Sequence, residues 1–488
     1  MRYKITRSHT LTRTSSAATM RGLATILALA APRAAFAATG EDFKSHVIYQ
    51  VLTDRFNFEG ASSDCSNLGD YCGGTFSGLV SKLDYLTDLG VDAVWISPVV
   101  TNSPGGYHGY WQTDLFSIND HFGTPDELHN LVSECHSRGI LVILDVVGNH
   151  MGGTIDDIGG YTPFNEPEHY HDCSSCPSSC SIEDYNDYNQ VRLCRLAGLP
   201  DLNQTNTFVE EQLLNWISDL VGNYSIDGIR IDTVPEVNTG FWTDFNKYAG
   251  VYTVGEVFNG DPSYVSGFQG PLDATLDYPL YYAMRDVFGG QQSMYQLQSM
   301  LQECEQSFSD VSVLGTFLDN HDNPRFLSTQ QDYTLYKNGL LFTVLTQGIP
   351  IIYYGTEQGF SGGNDPNNRE PLWPTGFSTN NELYTFIKNV IAVRKSQEVW
   401  TQDQTQRYVD DSFYAFTRGS TFVATTNVGS YGDDVTRTIT YHPYTDGTTL
   451  CEALSNSNDC VTVSNNEFQV TLSQGMPKVY VPATSSNN

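Results

Sequence analysis

The sequence predicts an α/β chain: a (β/α)8 barrel of the TIM type, interrupted by a long excursion after its third strand and followed by an antiparallel β domain. Three observations predict it. From about residue 45, short β-branched runs alternate with helical patterns over roughly 350 residues, the rhythm of repeated strand–helix units. No glycine-rich fingerprint follows the first strand, which argues against an open dinucleotide-binding sheet. Beyond about residue 400 the helical pattern stops, and short alternating runs between turns take over.

The elements follow in order. HVIYQVLTD (46–54) is strand-like. SGLVSKLDYLTDLG (77–90) places apolar residues at 79, 80, 83, 86 and 89, a helical period ending on Gly90. VDAVWISPV (91–99) returns to strand. TPDELHNLVSECHSRG (124–139) opens with Thr124 as N-cap, Pro125 in the first turn and Glu127 closing a capping box; Gly139 ends it. ILVILDVV (140–147) is a continuous apolar strand of the kind a parallel sheet buries on both faces. After Val147 the period is lost for about fifty residues rich in Gly, Asp, Asn, Tyr and Cys. Alternation resumes with a helix at 207–223, strands at 228–234, 251–257, 312–318 and 349–354, and a helix at 382–396. FYAFTRG, TFVATTNV and VTRTITYH then suit a small antiparallel domain. The expected segments are 1–37, 38–148, 149–202, 203–397 and 398–488.

The chain has 488 residues and a formal net charge of −31, which argues against nucleic acid or an anionic membrane as partner. Its 29 tyrosines beside 25 Lys and Arg suit stacking on neutral, hydroxyl-rich ligands. A basic stretch precedes the apolar run LATILALAA (23–31), and AFA (35–37) supplies a small-x-small pattern. Residues 1–37 therefore read as a secretory signal cleaved near Ala37, with Met20 an alternative start. That run is too short to span a bilayer, and VPATSSNN at the C-terminal end has no apolar tail for a lipid anchor. A secreted, extracellular monomer is expected.

Ten cysteines in such a chain predict disulfides, with Cys65/Cys72, Cys180/Cys194 and Cys451/Cys460 as candidate pairs. HYHDCSSCPSSC (169–180) has zinc-ligand character, but a disulfide-pinned loop is the preferred reading in an oxidising compartment. Cys135 and Cys304 have no obvious partners.

Four strands end in polar clusters. Asp145, Asn149 and His150 follow one; Arg230 and Asp232 close the next; Glu256 ends TVGEV; Asp319, His321, Asp322 and Arg325 lie in TFLDNHDNPR. Strand period puts Arg230 and Asp232 on one face and Ile229 and Ile231 on the other, so the charged pair points into the barrel mouth. Barrel catalysis sits at those strand ends. Like charges gathered there are costly unless one is held protonated as an acid while another stays ionised as a nucleophile. Such a pair is what glycoside hydrolysis needs.

DVVGNH, GIRIDTV, GEV and FLDNHD, in that order and spacing, resemble the four signature segments of the α-amylase family, glycoside hydrolase family 13. YHGYW (107–111), LPDLN (199–203), NYSIDG (223–228) and GGNDPNNRE (362–370) are similar to its secreted fungal members. The resemblance implies a retaining enzyme that cleaves α-1,4-glucans, with a B domain after the third strand and a C-terminal β domain. It makes Asp232 the nucleophile, Glu256 the general acid/base and Asp322 the carboxylate that stabilises the transition state. His150, Arg230 and His321 would hold the sugar at the cleavage point. Tyr110 and Trp111 would be aromatic platforms, and His108, Gly260, Asp365 and Arg369 further sugar contacts. α-Glucan polysaccharides and oligosaccharides are then the expected substrates. The alternatives are an α-glucanotransferase or a catalytically weak glucan-binding paralogue.

Two departures from the family pattern stand out. The resemblance implies calcium, with Asn149 and Asp201 as side-chain ligands and Glu236 offering its carbonyl. An acidic ligand expected two residues before Cys194 is instead Arg192, which predicts a weakened site unless Glu183, Asp184 or Asp187 compensates. Pro235-Glu236 stands where fungal relatives carry Lys-His, beside the leaving or accepting sugar.

Overall fold

The computed structural model describes residues 38–58, 65–455 and 459–483. The predicted signal segment, 1–37, lies outside the described residues. Eight parallel strands form the ring: β1 (Ile48–Val51), β2 (Ala93–Ile96), β3 (Leu141–Val146), β4 (Gly228–Ile231), β5 (Tyr252–Gly255), β6 (Ala274–Thr275), β7 (Gly315–Phe317) and β8 (Ile349–Tyr353). β1 through β6 pair in sequence order, β7 pairs with β8, and β8 with β1. A parallel bridge from Leu276 to Gly315 joins the β6 side to β7 and closes the circle.

Strand alternation sorts the core into two layers. Ile48, Trp95, Ile143, Val254, Phe317 and Ile351 fill the barrel interior, and Phe43 of the N-terminal helical turn joins them. Tyr49, Val94, Leu144, Ile229 and Ile231 point outward into the layer shared with the helices. The interior has no spare room at Gly315, where a Cβ would lie 2.9 Å from Ile351 Cδ1 and 3.1 Å from Leu276 Cδ2. Following the inward positions towards the C-terminal ends leads from Ile143 to Asp145, from Gly228 to Arg230 and from Val254 to Glu256. The same two-residue period that fills the core therefore delivers charge to its mouth.

The capping box at Thr124 forms as predicted: Thr124 Oγ1 accepts from Glu127 N, and Glu127 Oε2 accepts from Thr124 N at 2.7 Å, opening the helix Pro125–Ser137. The helix predicted at 77–90 is two pieces, Phe76–Val80 and Leu83–Leu89. Ser81 Oγ donates back to Gly78 O, and Lys82 leaves helical geometry, so a local side-chain bond competes with the helix. Gly90 ends the second piece at φ 97°, a left-handed conformation that suits glycine. The predicted strand at 228–234 stops at Ile231; Val234–Glu236 is a 3-10 turn. β6 went unpredicted because two residues show no period. The helix Tyr333–Leu345 also went unpredicted: it is buried all round, so it lacks a polar face to mark its period.

Between β3 and the helix Thr207–Tyr224 the excursion holds one α-helix among the described residues, Tyr188–Leu193. Cys65–Cys72 and Cys451–Cys460 are disulfides, as predicted. The third bond corrects the prediction: Cys194 pairs with Cys176, not Cys180. Spacing alone offered three partners on one loop, and the fold selects Cys176, which packs with Ile182, Val191 and Leu196. Cys135 and Cys304 are buried thiols.

The C-terminal region is a six-stranded antiparallel sheet over Gln404–Pro482, with a two-stranded ribbon, Val435–Ile439 and Phe468–Leu472. One face carries Tyr414 and Phe416 onto Phe342 of a barrel helix; the other packs Phe413, Phe422 and Leu450 against the ribbon.

Peptide mapping without reduction should recover a Cys176–Cys194 crosslink. Cys176→Ala should lower stability by ~3 kcal/mol, the scale for closing a loop of this size, whereas Cys180→Ala should leave the crosslink and most of the stability in place. A Cys180–Cys194 crosslink in the wild-type map would reverse the assignment.

Candidate active site

At the mouth of the barrel one guanidinium serves three carboxylates. Arg230 is fully buried on β4. Its Nη1 donates to Asp145 Oδ1 at 2.9 Å and to Asp232 Oδ1 at 2.8 Å. Its Nη2 lies 2.8 Å from Glu256 Oε1, off the line of its N–H, so that contact is charge on charge and not a hydrogen bond. Asp145 is the member that sequence reasoning left out of the site; its inward position on β3, two residues after Ile143, was the available signal. It also accepts from Trp95 Nε1 at 3.0 Å and from the Tyr110 hydroxyl at 2.6 Å.

Burial pushes all three acids up: Asp145 to about 6, Asp232 to about 7 and Glu256 to about 8. Arg230 opposes the shift in each, while the neighbouring carboxylates add to it for Asp232 and Glu256. One cation cannot keep three buried acids ionised, and the proton that remains near neutrality belongs on Glu256. Glu256 Oε2 accepts from Thr233 N at 3.2 Å, and the Tyr278 hydroxyl, itself held by Asn320 Nδ2, is 3.5 Å from Oε1.

Asp322 faces the group from the loop after β7 with its side chain 29% exposed. Burial disfavours its charge, but the charges of Arg369 and Arg230, with the His321 ring 3.3 Å away, outweigh it and its pKa falls. Burial also lowers His321 to about 3, so His321 is neutral at working pH, and the cations that keep Asp322 ionised are Arg369 and Arg230. His321 is positioned from both sides: Gln50 Nε2 at 2.8 Å from Nδ1 and the Tyr110 hydroxyl at 2.7 Å from Nε2. Arg369 Nε donates to the carbonyl of His321, and its Nη1 reaches Asp365 at 3.0 Å.

These groups lie at the base of a cleft of about 650 Å3. Of the predicted residues, Asp232, Glu256, Asp322, His108, Tyr110, Trp111, His150, Asp365 and Arg369 line it. Arg230 and His321 stand behind the lining. Gly260 sits beside Tyr282, whose Cδ2 would be 3.1 Å from an added Cβ, and does not line the cleft. Burial lowers His108 to about 3 and His150 to about 4, so both are neutral hydrogen-bonding groups. Trp111 is 38% exposed and presents its ring to the opening. Residues that sequence reasoning did not assign to the site complete the lining: Tyr185, Phe258 and Tyr264, all exposed aromatics. Pro235 and Glu236 lie among them.

Of the predicted cation ligands, Asn149 and Asp201 sit at the seam between β3 and the excursion, and Glu236 sits on the turn after β4. Leu202 N donates to Asn149 O at 2.9 Å, and His150 bridges Asp201, so Asn149 and Asp201 run side by side. Asn149 Oδ1 and Glu236 Oε2 are buried without a hydrogen-bond partner. Asp201 Oδ2 meets His171 Nδ1 at 2.6 Å. Arg192 turns away: its guanidinium lies 4.0 Å over the Tyr188 ring. Among the described residues no three His, Cys, Asp or Glu side chains converge on one point.

Residues 50–403 match the family described as "Alpha amylase, catalytic domain", and residues 406–488 that described as "Alpha-amylase, domain C". An α-amylase of Saccharomycopsis fibuligera is 40% identical over 468 residues, covering 91% of this chain and 92% of its own. Alpha-amylase 2 of Schwanniomyces occidentalis is 38% identical, covering 91% of each. The solved α-amylase of Malbranchea cinnamomea superposes with a TM-score of 0.86 at 40% identity, covering 91% of this chain and 98% of that one.

The raised acids tie stability to pH. Each binds its proton more tightly folded than unfolded, where carboxyls titrate near ~4. Their contribution is complete below that pH and is lost as pH rises through the folded values, about 6 to 8. The melting temperature should therefore fall between pH 5 and pH 8.5, and Glu256→Gln, which removes the highest of the three, should flatten the upper part of the decline. A wild-type melting temperature rising over that range would contradict the charge assignment.

Proposed function

The chain belongs to the α-amylase family, and we propose that it works as one, cleaving internal α-1,4-glucosidic bonds of starch-like glucans with retention at the sugar carbon. The observation that carries this reading is Asp232 and Glu256 held on the two terminal nitrogens of one buried guanidinium, at the base of a cleft that Asp322 faces. Sharing a cation draws the two carboxyls together, as a retaining enzyme requires, for which ~5–5.5 Å is typical. Ionised Asp232 attacks the anomeric carbon while Glu256 gives its proton to the departing glycosidic oxygen. Glu256, now ionised, then takes a proton from water, which attacks the same carbon and frees Asp232. Asp322 stabilises the positive charge that develops on the sugar in both steps. Trp111 and the facing aromatics offer stacking surfaces for neutral glucose rings. Export to the medium fits the three disulfides.

The orphaned Asn149 oxygen beside the Asp201 carboxylate suits a hard, oxygen-loving cation, and the family's calcium fits there. Asn149, Asp201 and the carbonyl of Glu236 would hold it. Its contribution would be structural, tying the excursion to β3 and so fixing the cleft wall. With Arg192 in the place of an acid, Asp201 is left as the one carboxylate of that set.

A second reading, transfer of the glycosyl group to another sugar, is favoured by the wall of Tyr185, Pro235, Phe258 and Tyr264. Proline has no donor for an acceptor hydroxyl, and apolar rings stack on sugar while excluding water.

Asp232→Asn should lower kcat on soluble starch by roughly 10^3-fold or more, ~4 kcal/mol, because an amide cannot form the glycosyl ester. A residual rate above about a tenth of wild type would remove Asp232 from the role. For starch, kcat/KM should fall as pH rises through about 8, when Glu256 loses its proton; aryl glycosides with very good leaving groups should show no such limb. The double replacement Pro235→Lys with Glu236→His should change kcat/KM for short malto-oligosaccharides and raise the share of hydrolysis over transfer, read by product chromatography. Unchanged kinetics and products would leave the turn after β4 without catalytic meaning.

A further inference from the structure

Glu236 offers more than a carbonyl: its side chain is the unusual part. It is 8% exposed, and its Oε2 has no hydrogen-bond partner. Among the described residues no cation sits against it; the charges that press on it are two more carboxylates, Glu256 and Asp201. A buried acid facing acids is strongly disfavoured unless something positive joins them. A second orphan lies beside one of those carboxylates: Asn149 Oδ1, on a residue 1% exposed, next to Asp201.

The acids on the excursion loop do not fill this need. Glu183 and Asp184 are exposed, bonded to Ser179 Oγ and to the backbone of Asn186. Asp187 caps the helix Tyr188–Leu193, accepting from Asn189 N and Gln190 N. Arg192, on that helix, is spent on Tyr188. The helix itself packs on the turn Val234–Glu236, so the element that carries Arg192 adjoins the element that carries Glu236.

We propose that the Glu236 carboxylate is a calcium ligand, supplying from the barrel the negative charge absent at Arg192, together with Asn149 Oδ1 and Asp201. The donor set becomes two carboxylates, one amide oxygen and the Glu236 carbonyl, all hard oxygens suited to calcium. His171 occupies one oxygen of Asp201 and leaves the other to the ion. The second charge has moved from the loop to the cleft wall, because Glu236 also lines the glucan cleft. Calcium occupancy and the acceptor side of the cleft then share one side chain. The proposal deepens the family reading by naming this chain's own ligand, and it is tested by binding and melting, apart from catalysis.

The test uses the full secreted chain stripped by chelator, titrated with calcium by calorimetry, with melting followed in parallel. Wild type should bind one calcium and melt higher with it. Glu236→Gln, which keeps shape and carbonyl but loses the charge, should weaken binding tenfold or more and shrink the calcium-dependent rise in melting temperature. Arg192→Glu in that background should restore both. If Glu236→Gln does not fold, Arg192→Glu alone serves: it adds a third acid, so calcium should bind more tightly than to wild type. Calcium binding by Glu236→Gln equal to wild type, an unchanged affinity in Arg192→Glu, or no calcium binding by wild type would each overturn the proposal. Starch hydrolysis by wild type reports separately on the amylase reading and stands or falls independently of these outcomes.

Discussion

The buried guanidinium of Arg230 is the interaction on which the rest depends. Taking that charge out of water costs several kcal/mol, which only close counter-charges offset. Asp145, Asp232 and Glu256 supply them from three neighbouring strands. Three acids around one cation overcompensate, and the surplus is the useful part. It makes a proton on Glu256 comfortable while Asp232, hydrogen-bonded to the cation, gives its proton up first. The rings of Trp95 and Tyr110, 5.3 and 5.8 Å from the guanidinium carbon, wall it from solvent and lower the local dielectric, sharpening the contrast between neighbours. Asp145 never meets the opening, yet it aligns Arg230, Trp95 and Tyr110 at once.

Much of this was legible in the sequence, for reasons that can be named. Arg230 and Asp232 stood out because charge inside a β-branched strand violates patterning unless it is used. The strand-end clusters pointed to the barrel mouth because the two-residue period leaves them no other face. Asp145 was visible but undervalued, since one aspartate in LDVV has no neighbour in sequence to reveal a shared cation. β6 was illegible because Ala274–Thr275 holds no full period, and the helix Tyr333–Leu345 because burial on all sides erases the amphipathic signal. The choice of Cys176 over Cys180 depends on where the loop packs, which spacing does not encode. The helpers Gln50, Asn320 and Tyr278 are ordinary polar residues until the fold brings them within 2.8–3.5 Å of the site.

The cleft divides its labour by chemistry. Its base is polar and charged, made by strand ends that the barrel holds rigidly. Its walls carry rings: Trp111, Tyr185, Phe258 and Tyr264. A glucan offers both a hydroxyl rim and an apolar ring face, so such a cleft can grip it without any net charge on the ligand. Those rings come from three parts of the chain, the segment between β2 and β3, the excursion and the loop after β5, so the place of Tyr185 depends on how firmly the excursion is fastened to the barrel.

The way the ring closes bears on the chain's own synthesis. Gln50 on β1 orients His321 across 271 residues, and Arg369, beyond β8, is needed to keep Asp322 ionised. Contacts so distant in sequence form late, after the loop-closure entropy of most of the chain has been overcome. A nascent chain still tethered to the ribosome at β7 already carries Asp145, Arg230, Asp232 and Glu256, but not the strand that completes the circle around them. Its acids and their cation are then all present, but the ring that holds them is still open. Catalytic competence thus arrives as a property of the finished chain, and a polypeptide cut short before β8 would lack even a partial glucan-cleaving activity.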